Sequence, residues 1–214
     1  MPAERILLSQ LLTEGNGSAD LLDRFAWRIR EGAIFIYPTE TIYGIGGRAD
    51  NQQIESRILE IKKRPPESPM ILLAADRKAF EHLSPVFPRA AETLAQKFWP
   101  GSLTLVLPSP HVPQGIGIRV SPHPFMKLLH FLIDKPVFST SANISGQPYT
   151  NDPDRIFQIF RNDVDFMIDD GILPVSAPST VVRVTEENRV EIIREGAVSR
   201  YEIEKALTEA NENI

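Results

Sequence analysis

The chain has 214 residues, 42% of them hydrophobic and 24% charged, a net charge of -5 and no cysteine. The lack of cysteine excludes disulfides, a thiolate nucleophile and cysteine-ligated zinc or iron–sulfur centres, and the acidic balance confines any anion site to a local cluster. No basic start leads into an apolar run and no stretch has the length of a membrane span, so the chain reads as cytoplasmic.

In chain order, Leu21, Leu22, Phe25, Ala26 and Ile29 recur at helical spacing, with Ser18 as N-cap and Gly32 as stop. Residues 33–37 read as a buried strand ended by Pro38. Asn51 caps a helix carrying Ile54, Ile58, Leu59 and Ile61, which ends at Lys62-Lys63-Arg64 before Pro65 and Pro66. A strand is expected over 70–75 and a helix over 88–98, stopped at Pro100-Gly101. Residues 103–107 and 117–120 read as strands, and 124–133 as a helix. A strand starting at 136–138 runs into Ser139-Thr140-Ser141-Ala142-Asn143. A helix over 152–160 and a strand over 164–168 follow. Residues 180–184 and 190–194 flank a polar turn and read as a hairpin. Ser199 and Glu202 form a capping-box pattern for a last helix. Helices interleave with strands and a hairpin is present. The expected fold class is therefore α/β: a twisted open mixed sheet covered by helices, in a single domain over 1–214.

Two polar clusters stand out. Lys62 and Arg64 end a helix, either as solvated cations favoured by the helix dipole or as a pair that holds phosphate oxygens. Ser139 to Gly146 offers four hydroxyls and an amide within seven residues. It is either a self-satisfied turn or a binding and orienting segment. It contains no acid, no histidine and no Gly-x-Ser-x-Gly elbow. The segment Pro38-Thr39-Glu40-Thr41-Ile42-Tyr43-Gly44 lacks both phosphate-loop signatures and reads as a turn. Arg119 lies inside an apolar strand and needs an anion, either a protein carboxylate or a ligand carboxylate. Ser179, Thr180 and Arg194 flank the hairpin and alone would be surface residues.

Seven motifs then occur in order: Pro-Thr-Glu-Thr-x-Tyr-Gly (38–44), Lys-x-Arg-Pro (62–65), Trp-Pro-Gly-Ser-Leu-Thr (99–104), Gly-Ile-Arg-Val (117–120), Ser-Ala-Asn-x-Ser-Gly (141–146), Ser-Thr-Val-Val (179–182) and Arg-x-Gly (194–196). Over roughly residues 20–200 the chain resembles the YrdC-like family of threonylcarbamoyl-AMP synthases. The resemblance implies a deep, positively charged cavity. It implies L-threonine, bicarbonate (or CO2) and ATP as substrates, with Mg2+ assisting, and diphosphate as co-product. The adenylate then passes to a transferase machinery that makes N6-threonylcarbamoyladenosine in tRNA, so a tRNA or double-stranded RNA contact belongs to the same expectation. By resemblance the catalytic positions are Lys62, Arg64, Ser141 and Asn143. These four and Arg194 bind ATP, while Thr39, Arg119, Ser139 and Ser179 bind threonine. No resident metal ligands are expected.

The chain departs from the family pattern at Ser121-Pro122 and at Arg194-Glu195-Gly196, and it lacks a histidine that some members carry after Lys-x-Arg. Its end about twenty residues past Arg194 matches the short form of the family. The rival readings are a paralogue without synthase activity, the related module of the HypF carbamoyltransferases, and an RNA-binding module. The net charge of -5 lacks the basic footprint of an RNA binder.

Overall fold

A computed structural model describes residues 2–13, 18–65 and 70–212. Its elements run β1 (Glu4–Leu7), α1 (Leu8–Leu12), α2 (Ser18–Arg30), β2 (Phe35–Tyr37), β3 (Gly44–Arg48), α3 (Gln52–Lys62) and β4 (Ile71–Ala74). A 3-10 helix (Arg77–Leu83) leads to α4 (Arg89–Phe98), β5 (Leu103–Ser109), β6 (Val112–Val120), α5 (Pro124–Ile133) and β7 (Val137–Ser141). Then come α6 (Pro153–Phe160), β8 (Phe166–Asp169), β9 (Thr180–Val184), β10 (Val190–Arg194) and α7 (Arg200–Glu212).

Local chemistry places the helix ends. The Asn51 side chain accepts the Gln53 N–H at the start of α3, and Asp152 does the same for Asp154 at α6. Ser199 and Glu202 close a reciprocal capping box before α7, through bonds of 2.8 Å and 3.3 Å. The end of α3 differs from expectation. The helix stops at Lys63, in the left-handed region at φ 54°, where the Arg64 N–H reaches back to the Leu59 carbonyl. Pro65 only continues this exit, and Pro66 lies outside the described residues.

The ten strands form one sheet in the order β1-β8-β2-β3-β7-β4-β6-β5-β9-β10. It is mixed, as expected: β2 with β8 and β4 with β6 are parallel, whereas β7 is antiparallel to both its neighbours. Four elements were not expected: β1, α1, the 3-10 helix and β3. The last is built from Gly44-Ile45-Gly46-Gly47-Arg48, which carries turn residues and little strand propensity. Packing explains it. A Cβ on Gly46 would fall 2.0 Å from the Phe138 carbonyl oxygen of β7, so only glycine lets the two backbones approach.

Register decides which side chains share a face. Tyr37 pairs with Gly44, and Gly44 with Ser141; Gly46 pairs with Ser139; Leu73 pairs with Arg119 and with Val137. Because side chains alternate along a strand, Tyr37, Ser139, Ser141 and Arg119 all rise from one face. At one end of that face α1, α2 and α5 bury an apolar cluster that includes Phe25, Phe35, Phe125 and Phe166. The opposite face is sealed in two parts: α3 and α6 pack on Ile34, Ile36 and Ile45, and α4 and α7 pack on Leu105, Ile118 and Val182. The helices thus hold the sheet from both sides while the strand ends bring the polar clusters together. Among the described residues no helix is long and apolar enough to cross a membrane.

Candidate functional site

Lys62 is the last residue of α3 and is 2% exposed. Its ammonium donates to the Ser141 carbonyl, to the Asn143 carbonyl at 2.8 Å and to Asn143 Oδ1 at 3.3 Å, with Ser141 Oγ at 3.5 Å. The Ser145 N–H returns a bond of 3.1 Å to the Lys62 carbonyl. Ser141 Oγ donates to Asn143 Oδ1 at 2.5 Å, and Asn143 Nδ2 donates to the Gln147 carbonyl at 2.6 Å. The turn after β7 is therefore gathered around one cation. Burial, and then the neighbouring Arg64 charge, push the Lys62 pKa down to about 8. Arg64 stands at the half-buried exit of the helix, where its guanidinium lies 3.5 Å from Thr140 Oγ1. Lys62, Arg64, Ser141 and Asn143, about eighty residues apart in pairs, thus form one cluster.

Arg119 is 5% exposed and its anion is Glu40. Nη2 bonds the Glu40 carboxylate and Thr41 Oγ1, the latter at 3.0 Å, and Nε donates to the Gly101 carbonyl at 3.1 Å. The second Glu40 oxygen accepts from Ser121 Oγ at 2.6 Å. Of the two alternatives for Arg119, the protein carboxylate is thus present. The pair is incomplete, because Arg119 Nη1 has no hydrogen-bond partner among the described residues.

Arg194 ends β10 and donates to the Ser179 carbonyl at 2.8 Å. Ser179 is buried, and its hydroxyl lies 2.9 Å from that of Thr104 on β5. Burial and repulsion from Arg119 lower the Arg194 pKa, so the two guanidinium groups lie near one another. Thr39 is placed otherwise. Its hydroxyl accepts the Thr41 and Ile42 N–H groups at 3.2 Å each and donates to the Ile42 carbonyl at 2.7 Å. In this structure it organises the 38–43 turn that carries Glu40 and Thr41 to Arg119. Ser139 is buried mid-strand on the site face.

Four contributors were not singled out from the sequence as site residues: Glu40, Thr41, Thr104 and Ser121. Each lies within or beside a segment that was noted, but its role depends on a partner tens of residues away. Only Glu40 carried a signal, as an acid next to Thr39 in a chain whose buried arginine required an anion.

A mixed sheet that gathers cations and hydroxyls from its strand ends onto one face defines an α/β protein suited to anionic ligands. Residues 28–196 match the Sua5, YciO and YrdC family, described as telomere recombination. The threonylcarbamoyl-AMP synthase of Pyrococcus abyssi is 37% identical over 189 residues, 85% of this chain and 55% of the relative. That of Bacillus subtilis is 32% identical over 188 residues, 84% of this chain and 54% of the relative. The solved structure of P. abyssi Sua5 complexed with L-threonine has a TM-score of 0.83 at 32% identity, covering 97% of this chain and 61% of that one. The chain belongs to the Sua5/YciO/YrdC family. It spans about half the length of the two curated relatives named here.

Proposed function

We propose that the chain is a threonylcarbamoyl-AMP synthase, a nucleotidyltransferase that forms L-threonylcarbamoyladenylate and diphosphate from L-threonine, bicarbonate or CO2, and ATP. The threonine amine becomes a carbamate. A carbamate oxygen then bonds to the α-phosphorus of ATP as the bond from that phosphorus to the bridging oxygen breaks, and diphosphate leaves. Both reactants are anionic, so the chief task is to bring negative groups into line. The observation that carries this reading is the Lys62–Ser141–Asn143 cluster, which assembles separate motifs around one buried cation.

In this reading Lys62 shapes the Ser141–Asn143 turn and supplies charge beneath it. Arg64 and Arg194 take phosphate oxygens. Arg119 offers Nη1 to the threonine carboxylate while Glu40 fixes its other edge. Ser139 and Ser179 line the threonine end and Thr39 shapes the adjoining turn, with the deep basic cavity lying between the two groups. Among the described residues no group of three or more His, Asp or Glu side chains is placed to hold a metal. Mg2+ would therefore enter as the partner of ATP, held by its phosphates. The product serves a tRNA-modifying transferase, which places the work in the cytoplasm in a single synthase domain and makes tRNA a natural contact. The supporting relatives are the two synthases and the threonine complex of Sua5.

The test is diphosphate release by the purified chain. It should require L-threonine, ATP and bicarbonate together, and omission of any one should abolish it. No diphosphate from the full mixture, combined with tight RNA binding at physiological salt, would overturn the reading in favour of an RNA module.

A further inference from the structure

Tyr37 ends β2 with its side chain on the site face and none of its surface exposed. Its ring stacks on Phe125, centroids 5.7 Å apart, and reaches across β3. A Cβ at Gly44 would lie 3.3 Å from the Tyr37 hydroxyl, and one at Gly46 would lie 3.2 Å from the ring edge. The two glycines leave the channel along which the phenol extends towards β7. At its end the hydroxyl has no hydrogen-bond partner among the described residues. The Ser139 hydroxyl stands beside it, yet no bond of acceptable geometry joins the two.

This is an unusual choice of side chain. A buried hydroxyl with no partner costs stability, and phenylalanine would fill the same space without that cost. Burial pushes the phenol pKa up and outweighs the opposing pulls of the adjacent Ser139 hydroxyl and of Arg119, so the group is a donor at neutral pH. The hydroxyl of Ser139, beside it, can accept a hydrogen bond and has a donor of its own to offer. The β7 and β6 strands are two spacings apart, about 10 Å. Ser139 on one and Arg119 on the other rise from the same face, two residues apart in register along β4.

We infer that Tyr37 is a positioning residue for the amino-acid substrate, acting through Ser139. With ligand bound, the Tyr37 O–H donates to Ser139 Oγ, and the Ser139 O–H turns outward to an oxygen of the bound threonine. The inference rests on the synthase reading. It explains why a hydroxyl left unpaired in the free protein is kept: it is the partner that ligand binding completes.

The test is Tyr37→Phe, read by calorimetric threonine binding, by KM for threonine and for ATP in diphosphate release, and by thermal unfolding. Threonine affinity should weaken about five- to tenfold, the loss expected for one hydrogen bond. The KM for ATP should not change, and the melting temperature of the free protein should hold or rise. In a Ser139→Ala background the same substitution should cost nothing further, because the effect passes through Ser139. Unchanged threonine binding in Tyr37→Phe, or an equal loss in the Ser139→Ala background, overturns the inference while the synthase reading stands. Failure of the unsubstituted protein to bind threonine overturns both.

Discussion

Glu40 holds Arg119 from a position 79 residues earlier, dividing its carboxylate between that guanidinium and the Ser121 hydroxyl. The pairing makes a buried cation tolerable and fixes the plane of its fork, with Nη1 left for a further anion. Charge and orientation therefore come from two residues on separate elements, Arg119 in strand β6 and Glu40 in the turn after β2.

In the proposed reading Arg119→Ala removes the threonine anchor, and it leaves the Glu40 carboxylate without its cation. Truncating a desolvated charge pair costs about 2–5 kcal/mol, so the KM for threonine should rise by at least about thirtyfold. The KM for ATP should stay near its original value. Steady-state kinetics with each substrate varied in turn checks this. Equal effects on both substrates would make Arg119 purely structural.

Among the described residues the Arg64 side chain makes one long hydrogen bond, at 3.5 Å, and is half-buried, so its removal should leave the fold intact. Arg64→Ala should raise the KM for ATP about tenfold or more, the usual scale for losing a charged hydrogen bond to phosphate. The melting temperature should shift by little. A kinetic series alongside thermal unfolding reads both quantities, and loss of stability without loss of ATP affinity would refute the assignment.

Lys62 carries a pH signature. Its pKa of about 8 in the folded chain lies below the ordinary 10.5. Below about pH 8 the group is protonated in both the folded and the unfolded chain. Between about 8 and 10.5 the unfolded chain binds more protons, so stability relative to a Lys62→Met variant rises with pH, by on the order of 3 kcal/mol across the window. Over the same window the cation under the Ser141–Asn143 turn is lost, and diphosphate release should fall. Denaturant titrations of the two proteins from pH 7 to 10 test the sign, which is opposite to that of a lysine whose pKa is raised by a salt bridge in the folded chain.

Gly46→Ala tests the fold that places the site. The added Cβ would meet the Phe138 carbonyl oxygen at 2.0 Å, and that oxygen belongs to the backbone of β7. The β3–β7 pairing must shift, at a cost of about 1–3 kcal/mol or more. Because β7 carries Ser139 and Ser141, activity should fall with stability. Urea unfolding and diphosphate release measured on one preparation would show both losses.

Much of the architecture was legible because its signals are local. The helix over 124–133 has the bounds read from Leu and Phe spacing, and Asn51 and Ser199 cap the helices that follow them. The hairpin of β9 and β10 follows from alternation around a polar turn. The strand β3 was not legible, since glycines carry no strand preference and its reason to exist is a carbonyl on β7. The ordered motifs named the residues Lys62, Arg64, Ser141 and Asn143, but not that the lysine would be buried with its hydrogen bonds directed to backbone carbonyls.

From sequence alone came most of the helices and strands, the mixed α/β class, the need of Arg119 for an anion and the family resemblance, because each depends on a residue and its near neighbours or on motif order. Tertiary structure alone decided that Glu40 is that anion, that Thr39 is engaged within a turn, and that Tyr37 ends beside Ser139 without a hydrogen bond. The reason is the order of the strands. Placing β7 between β3 and β4 joins segments some eighty residues apart, and in a sheet the partners of a side chain are set by register across strands, which no local pattern along the chain encodes.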